Sequence, residues 1–469
     1  MIQVGDRIDV EILSTGFEGK GIAKLDDFVI FVDGGVEGDF VTIEIKKKKK
    51  NFADAKILEL KIPSKKRISA KCKFFGTCGG CKYQHINYEE QLKFKREHVL
   101  DAIKHIGNLD DVIVHIPIPA DEIFFYRNKM EYSFGSERWL TAEEIGTEVS
   151  RNGFFLGFHA PQKYNRIVNV DECFLQSELS NKILNFTRNF SIQNNLTIYD
   201  SETESGYLRN LVIRQSKNTS DLMVNLVTFQ DSPELMKNYT EKIISEIPEI
   251  TTVVNNINSR RAQIAIGETE KIYFGNGKIN EKIFDTKFQI SANSFFQTNT
   301  LQAEKLFEVV KKYSALNIDD VVYDLYCGTG SIALTIAENV KEVIGIELNE
   351  NAIANAKINQ EINGINNCEF LLGDLKDLLT KDVAWKNKFG HPTCIILDPP
   401  RNGLHPKVVD EVALFKTPKI IYVSCNPTTL ARDLKLFSAH GYKTIQVQPV
   451  DMFPHTYHIE AVAELVLEK

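Results

Sequence analysis

The regular alternation in the last third of this chain constrains its fold more than any other feature. Apolar runs of strand length stand at Val321–Leu325, Glu342–Glu347, Cys368–Leu372, Cys394–Leu397 and Lys419–Val423, and stretches of helical length separate them. Parallel strands need a long crossover between them, usually a helix, and a sheet covered on both faces has strands that are apolar throughout. Two more strands, Lys443–Val447 and Ile459–Leu467, follow close together and predict a terminal hairpin. The expected class is α/β, with a doubly wound, Rossmann-like sheet at the carboxyl end and a helix over about 301–313 leading into it.

Open sheets of this kind take ligands beyond the carboxyl ends of their strands. The first strand runs into Asp324-Leu325-Tyr326-Cys327-Gly328-Thr329-Gly330-Ser331, where Gly328 and Gly330 let a ligand come close to the backbone. Glu347 ends the second strand, placed to accept hydrogen bonds from ribose hydroxyls, and Gly373-Asp374 ends the third, placed to contact an adenine. A dinucleotide site would want a third glycine, but Ala333 and Leu334 occupy that stretch. S-adenosylmethionine, which has no pyrophosphate to cradle, fits better.

The fourth strand ends in Asp398-Pro399-Pro400-Arg401, whose two prolines lack backbone donors and stiffen the turn beneath the carboxylate. Amino-methyltransferases carry a similar acid-Pro-Pro motif that ends in an aromatic residue; here Arg401 takes that place. The fifth strand, Ile420-Ile421-Tyr422-Val423-Ser424, ends at Cys425, and Asn426 or Thr428 can cap the helix that follows. A free cysteine is usually an inert, buried thiol. At a strand end beside Asp398 it reads instead as a nucleophile. Carbon 5 of uracil is too weak a nucleophile to attack a methyl sulfonium, but a thiolate added at carbon 6 places charge on carbon 5. The enolate takes the methyl group, a base removes the carbon 5 proton, and the thiol leaves. Cys425 and Asp398 suit this scheme, and the hairpin offers Glu460 or Asp451 as the base.

Residues 1 to about 60 form short alternating runs, Arg7–Leu13, Gly21–Leu25, Phe28–Val32, Phe40–Ile45 and Ala55–Leu60, which predict a small closed barrel. With the run Ser14-Thr15-Gly16-Phe17-Glu18-Gly19-Lys20-Gly21, this stretch resembles the TRAM domain, an OB-like RNA-binding module. From Lys46 to Lys73 there are twelve Lys or Arg residues against Asp54 and Glu59, either a solvated face or a phosphate-binding flank. Cys72, Cys78 and Cys81 follow within ten residues, with glycines among them, and thiolates so placed are natural ligands of zinc or iron–sulfur centres. Cys173 is the best candidate for a fourth ligand, because the remaining cysteines lie in or near the later apolar strands. Between about 90 and 300, Tyr88–Ile106 has helical periodicity. Tyr126–Tyr132 and Leu208–Arg214 look like strands carrying basic residues, suited either to an RNA groove or to a sheet edge with solvated charges.

Taken together, these motifs resemble the RNA uracil-C5-methyltransferase family over nearly the whole length, and among its members the iron–sulfur enzymes that modify 23S ribosomal RNA. The resemblance implies a [4Fe-4S] cluster on Cys72, Cys78, Cys81 and Cys173, with S-adenosylmethionine held by Gln297, Tyr326, Ser331, Glu347, Asp374 and Asp398. It makes Cys425 the nucleophile and Glu460 the proton-abstracting base. The expected division is a TRAM barrel at 1–62, a central α+β domain with the cluster and an RNA-binding surface at 63–300, and the methyltransferase domain at 301–469.

A single-stranded or loop uridine of 23S rRNA is the expected substrate, since a stacked base must be extruded before chemistry reaches it. The rivals are the tRNA T-loop uridine enzymes, which generally lack the barrel and cluster, and a non-catalytic iron–sulfur RNA-binding assembly factor. Cytosine-C5 enzymes use a cysteine in a different motif, and radical methylthiotransferases lack the terminal domain. A net charge of −7 excludes a uniformly basic nucleic-acid binder. No long apolar run or secretory signal is present, so a cytoplasmic protein with no membrane attachment is expected; a monomer is the expected state.

Overall fold

The computed structural model describes residues 2–141, 144–161, 163–262, 264–381 and 384–468. Near the amino terminus six strands form one sheet in the order Arg7–Glu11, Phe40–Lys48, Phe52–Ile62, Phe28–Asp33, Gly21–Leu25, Ser14–Thr15. Its two outer strands are consecutive in the chain, and Leu13 N donates to Ile22 O at 2.8 Å, so the sheet closes on itself as a barrel. Alternate residues such as Val41, Ile43 and Ile45 fill its interior. Lys46, Lys47 and Lys48 continue the Phe40–Lys48 strand, so the basic run begins on a regular hairpin.

The helix Tyr88–Asp101 is capped by Asn87, whose side chain accepts from Glu89 N, and it ends in a π-helical turn over Ala102–Ile106. The central sheet has seven strands in the order Lys163–Asn169, Asn152–Ala160, Lys129–Glu137, Leu208–Gln215, Leu222–Thr228, Thr252–Ile257, Thr269–Phe274. Helices Glu178–Gln193 and Pro233–Glu246 cover one face through Ile183, Leu184, Met236 and Ile243.

Two expectations for this region are corrected. The stretch around Tyr126 becomes a strand only at Lys129, since Phe125 adopts φ +56°. Leu208–Gln215 is an interior strand, neither a sheet edge nor a groove wall. Arg209 donates to the carbonyls of Asn258, Arg260 and Ala262, and Arg214 to those of Ala292 and Ser294. Both guanidiniums are buried; main-chain acceptors replace water around Arg209 Nη1 and Nη2 and around Arg214 Nη2, while Arg214 Nε is left without a partner.

The carboxyl-terminal sheet follows the sequence pattern closely. Its order is Cys368–Leu372, Glu342–Glu347, Val321–Leu325, Cys394–Leu397, Lys419–Ser424, Glu460–Leu467, Tyr442–Val450, with the short strand Ile113–Val114 added at the far edge. The first five pair in parallel and the hairpin pairs antiparallel. Strand order reverses between Val321–Leu325 and Cys394–Leu397, where an open sheet leaves a crevice for ligands. No helix of the described residues is long and apolar enough to cross a membrane.

Candidate active site

The crevice is built by turns that the strand ends force. After Leu325 the chain turns through Tyr326 (φ +68°), Gly328 (φ +54°) and Gly330 (φ +78°) into the helix Ser331–Ile336. Tyr326 N and Cys327 N donate to Ile346 O at 2.9 and 3.0 Å, which locks this turn to the next strand. Glu347 accepts from Gly328 N at 3.1 Å and from Asn349 N at 2.8 Å. Asp374 accepts from Lys376 N at 2.8 Å and lies exposed across from it. Tyr326, Glu347 and Asp374 line one cleft of about 260 Å³. Gly403, His405 and Val408 close its other side. Sequence reasoning missed those three; the one local signal was His405-Pro406, a cap-and-proline helix start.

Beneath the cleft, Asp324 accepts from Ala333 N at 3.0 Å, while its second carboxyl oxygen is buried without a protein partner. Burial, and then the nearby Asp398, push its pKa up to about 8. Ser331 begins the following helix, with its hydroxyl 3.4 Å from that of Thr329. Gln297 is half-buried on the loop before the helix Thr300–Ser314, anchored where its carbonyl accepts from Asn128 Nδ2 at 2.7 Å.

The register of three adjacent strands assembles the second half of the site. Leu397 pairs with Tyr422, Ser424 pairs with Ala461, and Val450 pairs with Glu460. Cys425 therefore falls opposite Glu460, while Asp398, level with Val423, ends the neighbouring strand two residues short of Cys425; the three groups influence one another electrostatically. Asn426 rather than Thr428 is the helix cap, accepting from Thr428 N at 3.0 Å. Burial raises Asp398 to about 7. Burial, then the Glu460 carboxylate, raise the half-buried Cys425 thiol to about 11, against a lowering pull from Arg401. Glu460 is held well above the usual carboxylate range by burial and then by Asp398. Groups whose protonation is shifted this far, clustered at adjacent strand ends, make this the candidate active site.

Asp451, the alternative base, lies elsewhere: its side chain is fully buried, paired with Lys95 Nζ at 2.6 Å and accepting from Tyr88 OH at 2.9 Å. It has no free face to offer a substrate.

The model of the tRNA (uracil-5-)-methyltransferase family matches residues 216–469, more than half of the chain, and the TRAM model matches residues 2–58. The chain belongs to the tRNA (uracil-5-)-methyltransferase family. Members of this RNA uracil-C5 methyltransferase family use S-adenosylmethionine. An uncharacterized RNA methyltransferase of Chlorobaculum tepidum is 40% identical over 98% of this chain and 96% of its own. A second, from Bacteroides thetaiotaomicron, is 40% identical over 96% of this chain and 99% of its own. Among solved structures, the Pyrococcus abyssi tRNA (uracil-54, C5)-methyltransferase in complex with S-adenosyl-L-homocysteine has 29% identity and a TM-score of 0.74. It covers 98% of this chain and 100% of its own. A tRNA enzyme of this family thus matches along nearly the whole chain, so overall architecture does not separate rRNA from tRNA enzymes.

Away from the strand ends, Cys72, Cys78, Cys81 and Cys173 are all free thiols. Gln84 spans two of their segments, accepting from Cys72 N at 3.1 Å and donating to Cys81 Sγ at 3.2 Å. Burial raises Cys81 and Cys173 to about 12, and neighbouring thiols of the set add to both. Among the described residues no three His, Cys, Asp or Glu side chains converge on a position for a single metal ion.

Proposed function

We propose that this protein methylates carbon 5 of a uridine in large-subunit ribosomal RNA, with Cys425 as the covalent nucleophile. The observation that carries the chemistry is the register that brings Cys425, Asp398 and Glu460 to adjacent strand ends. S-adenosylmethionine supplies an electrophilic methyl group, for which the cleft lined by Tyr326, Glu347 and Asp374 is the site; Gln297, Gly328, Gly330, Ser331 and Asp398 are assigned to the same cofactor by the family resemblance. The buried, unpartnered oxygen of Asp324 supports a polar ligand there.

In the reaction, the Cys425 sulfur bonds to carbon 6 of the uracil and the electron pair moves to carbon 5 and its conjugated carbonyl. Carbon 5 forms the new bond to the methyl carbon as the sulfonium–methyl bond breaks, leaving S-adenosylhomocysteine. Glu460 takes the proton from carbon 5, the carbon 6–sulfur bond breaks, and Cys425 leaves as thiolate. Asp398 borders both ligands and, with its pKa raised to about 7, is protonated in about half of the molecules at neutrality and in that form donates a hydrogen bond to the uracil.

The four cysteines of the amino-terminal half hold a [4Fe-4S] cluster on this reading. The support is the donor set: four free thiols within electrostatic reach of one another. The cluster would order the loops that carry these cysteines. Reconstitution with iron and sulfide under anaerobic conditions tests it: four iron atoms per chain support the cluster, and zinc alone overturns it. The barrel with its basic hairpin, together with these loops, would form the RNA-binding surface of a monomeric enzyme.

The Pyrococcus match favours a second substrate, a tRNA uridine. Methyl-labelled S-adenosylmethionine, offered with unmodified rRNA and tRNA pools in turn, decides between them by nucleoside analysis. Label in 5-methyluridine from rRNA supports the first reading, and label from tRNA alone supports the second.

A further inference from the structure

Between Val450 and Glu460 the chain makes a turn that is held from outside as well as by its own hydrogen bonds, among them Thr456 Oγ1 donating to Phe453 O at 2.8 Å. Five successive carbonyls are each bonded by a residue from outside it. Asp451 O accepts from Gln302 Nε2 (2.9 Å) and Met452 O from Asn299 Nδ2 (3.0 Å). Phe453 O accepts from Lys95 Nζ (3.0 Å), and Pro454 O from Tyr126 OH (3.1 Å). His455 O accepts from Lys82 N and Tyr83 N (2.8 and 2.9 Å). His455 itself sits at φ +65°, a conformation a non-glycine residue keeps only when its surroundings hold it there.

One helix face supplies the main grip. Tyr88, Gln91 and Lys95 recur at helical spacing on Tyr88–Asp101, so all three face the turn. Gln91 Oε1 accepts from His455 N at 3.0 Å, Tyr88 OH donates to Asp451, and Lys95 reaches both the Asp451 carboxylate and Phe453 O. The Lys95 and Asp451 side chains are both wholly excluded from water. An apolar pair of similar volume would often be as stable in such a place, so stability alone does not account for the ion pair. Asp451 directly follows Val450, the cross-strand partner of Glu460. Holding Asp451 therefore fixes the edge of the strand from which the Glu460 carboxylate projects.

We propose that Lys95 is a positioning residue for the proton-abstraction step: through Asp451 and Phe453 O it sets the 451–459 turn so that Glu460 meets the carbon 5 proton. The inference rests on the proposed role of Glu460. It separates two events that Glu460 controls differently. Methyl transfer requires Cys425 and the bound cofactor, whereas release of the carbon 5 proton and breakage of the carbon 6–sulfur bond require Glu460 in place. A loosened turn leaves methylated RNA attached to the protein.

The test uses the full chain, methyl-labelled S-adenosylmethionine, and RNA transcribed with tritium at carbon 5 of uridine, from whichever pool the unaltered protein methylates. For Lys95→Met the expected result is tritium release slowed about 10-fold or more, with methyl label accumulating in a denaturation-resistant protein–RNA adduct. The double variant Lys95→Met/Asp451→Asn, which leaves no unpaired buried charge, is expected to recover the unfolding midpoint yet keep the slow release. A folded double variant with the unaltered ratio of methyl transfer to tritium release would overturn the proposal. So would equal slowing of both events in either variant. Absence of any methyl transfer by the unaltered protein on either pool would instead overturn the functional reading beneath it.

Discussion

Replacing Asp398 by asparagine is expected to stabilise the protein at neutral pH while removing its activity. The carboxyl group sits at a strand end where burial raises its pKa from 3.8 to about 7. A raised folded-state value means that the folded chain binds this proton more tightly than the unfolded chain does. The stability it contributes is full below pH 3.8 and is lost as pH rises through about 7. About three pH units separate the two values, each worth 1.36 kcal/mol, so the ionised group costs about 4 kcal/mol. Water reaching this half-buried side chain reduces that figure, and about 2–4 kcal/mol is the working range. Asparagine is close in shape to the protonated acid and does not titrate. Trp385, buried against Tyr323 and Phe415, reports unfolding of this region in a Trp139→Phe background. Urea midpoints at pH 8 should favour the asparagine variant, and the gap should shrink as pH falls toward 4. The same gap at both pH values, or a less stable variant at pH 8, would refute the argument.

Other outcomes follow from the same geometry. Cys425→Ala should lower turnover on the order of 10⁴-fold or more and abolish the denaturation-resistant RNA adduct, as a gel of labelled RNA would reveal. With the Cys425 thiol raised to about 11, the initial rate of adduct formation should climb about tenfold per pH unit between pH 6 and 9; a plateau reached below pH 8 would contradict that. Glu347→Gln should weaken S-adenosylhomocysteine binding about tenfold by calorimetry, through lost charge-assisted hydrogen bonds, with the fold intact. Gly345→Ala should destabilise by about 1–3 kcal/mol in urea unfolding, because its new methyl group would meet the Phe370 ring at 2.6 Å and Cys327 Sγ at 2.9 Å.

The sheet and the residues at its strand ends were legible because both depend on local pattern. Val321–Leu325, Glu342–Glu347, Cys368–Leu372 and Cys394–Leu397 lie where their apolar runs end, and the residue after such a run must emerge at the rim. Glu347 and Asp398 could therefore be placed without any knowledge of what packs against them. The helix cap could be narrowed only to Asn426 or Thr428, since either side chain meets the local requirement.

Charged residues away from strand ends were illegible for the converse reason: their roles depend on partners that the local sequence does not name. Arg209 and Arg214 carry the composition of an RNA-binding strand, yet all their bonded acceptors are carbonyls 49 to 80 residues further along the chain. Asp451 and Glu460 are two acids of one hairpin, and nothing near them decides which is the base. Lys95, 356 residues upstream, pairs with Asp451 and leaves Glu460 beside Cys425. A single helix face thus separates the two acids: it takes the Asp451 carboxylate into a buried ion pair and leaves Glu460, raised by burial and then by Asp398, beside Cys425, where on the proposed mechanism its ionised form would take the carbon 5 proton.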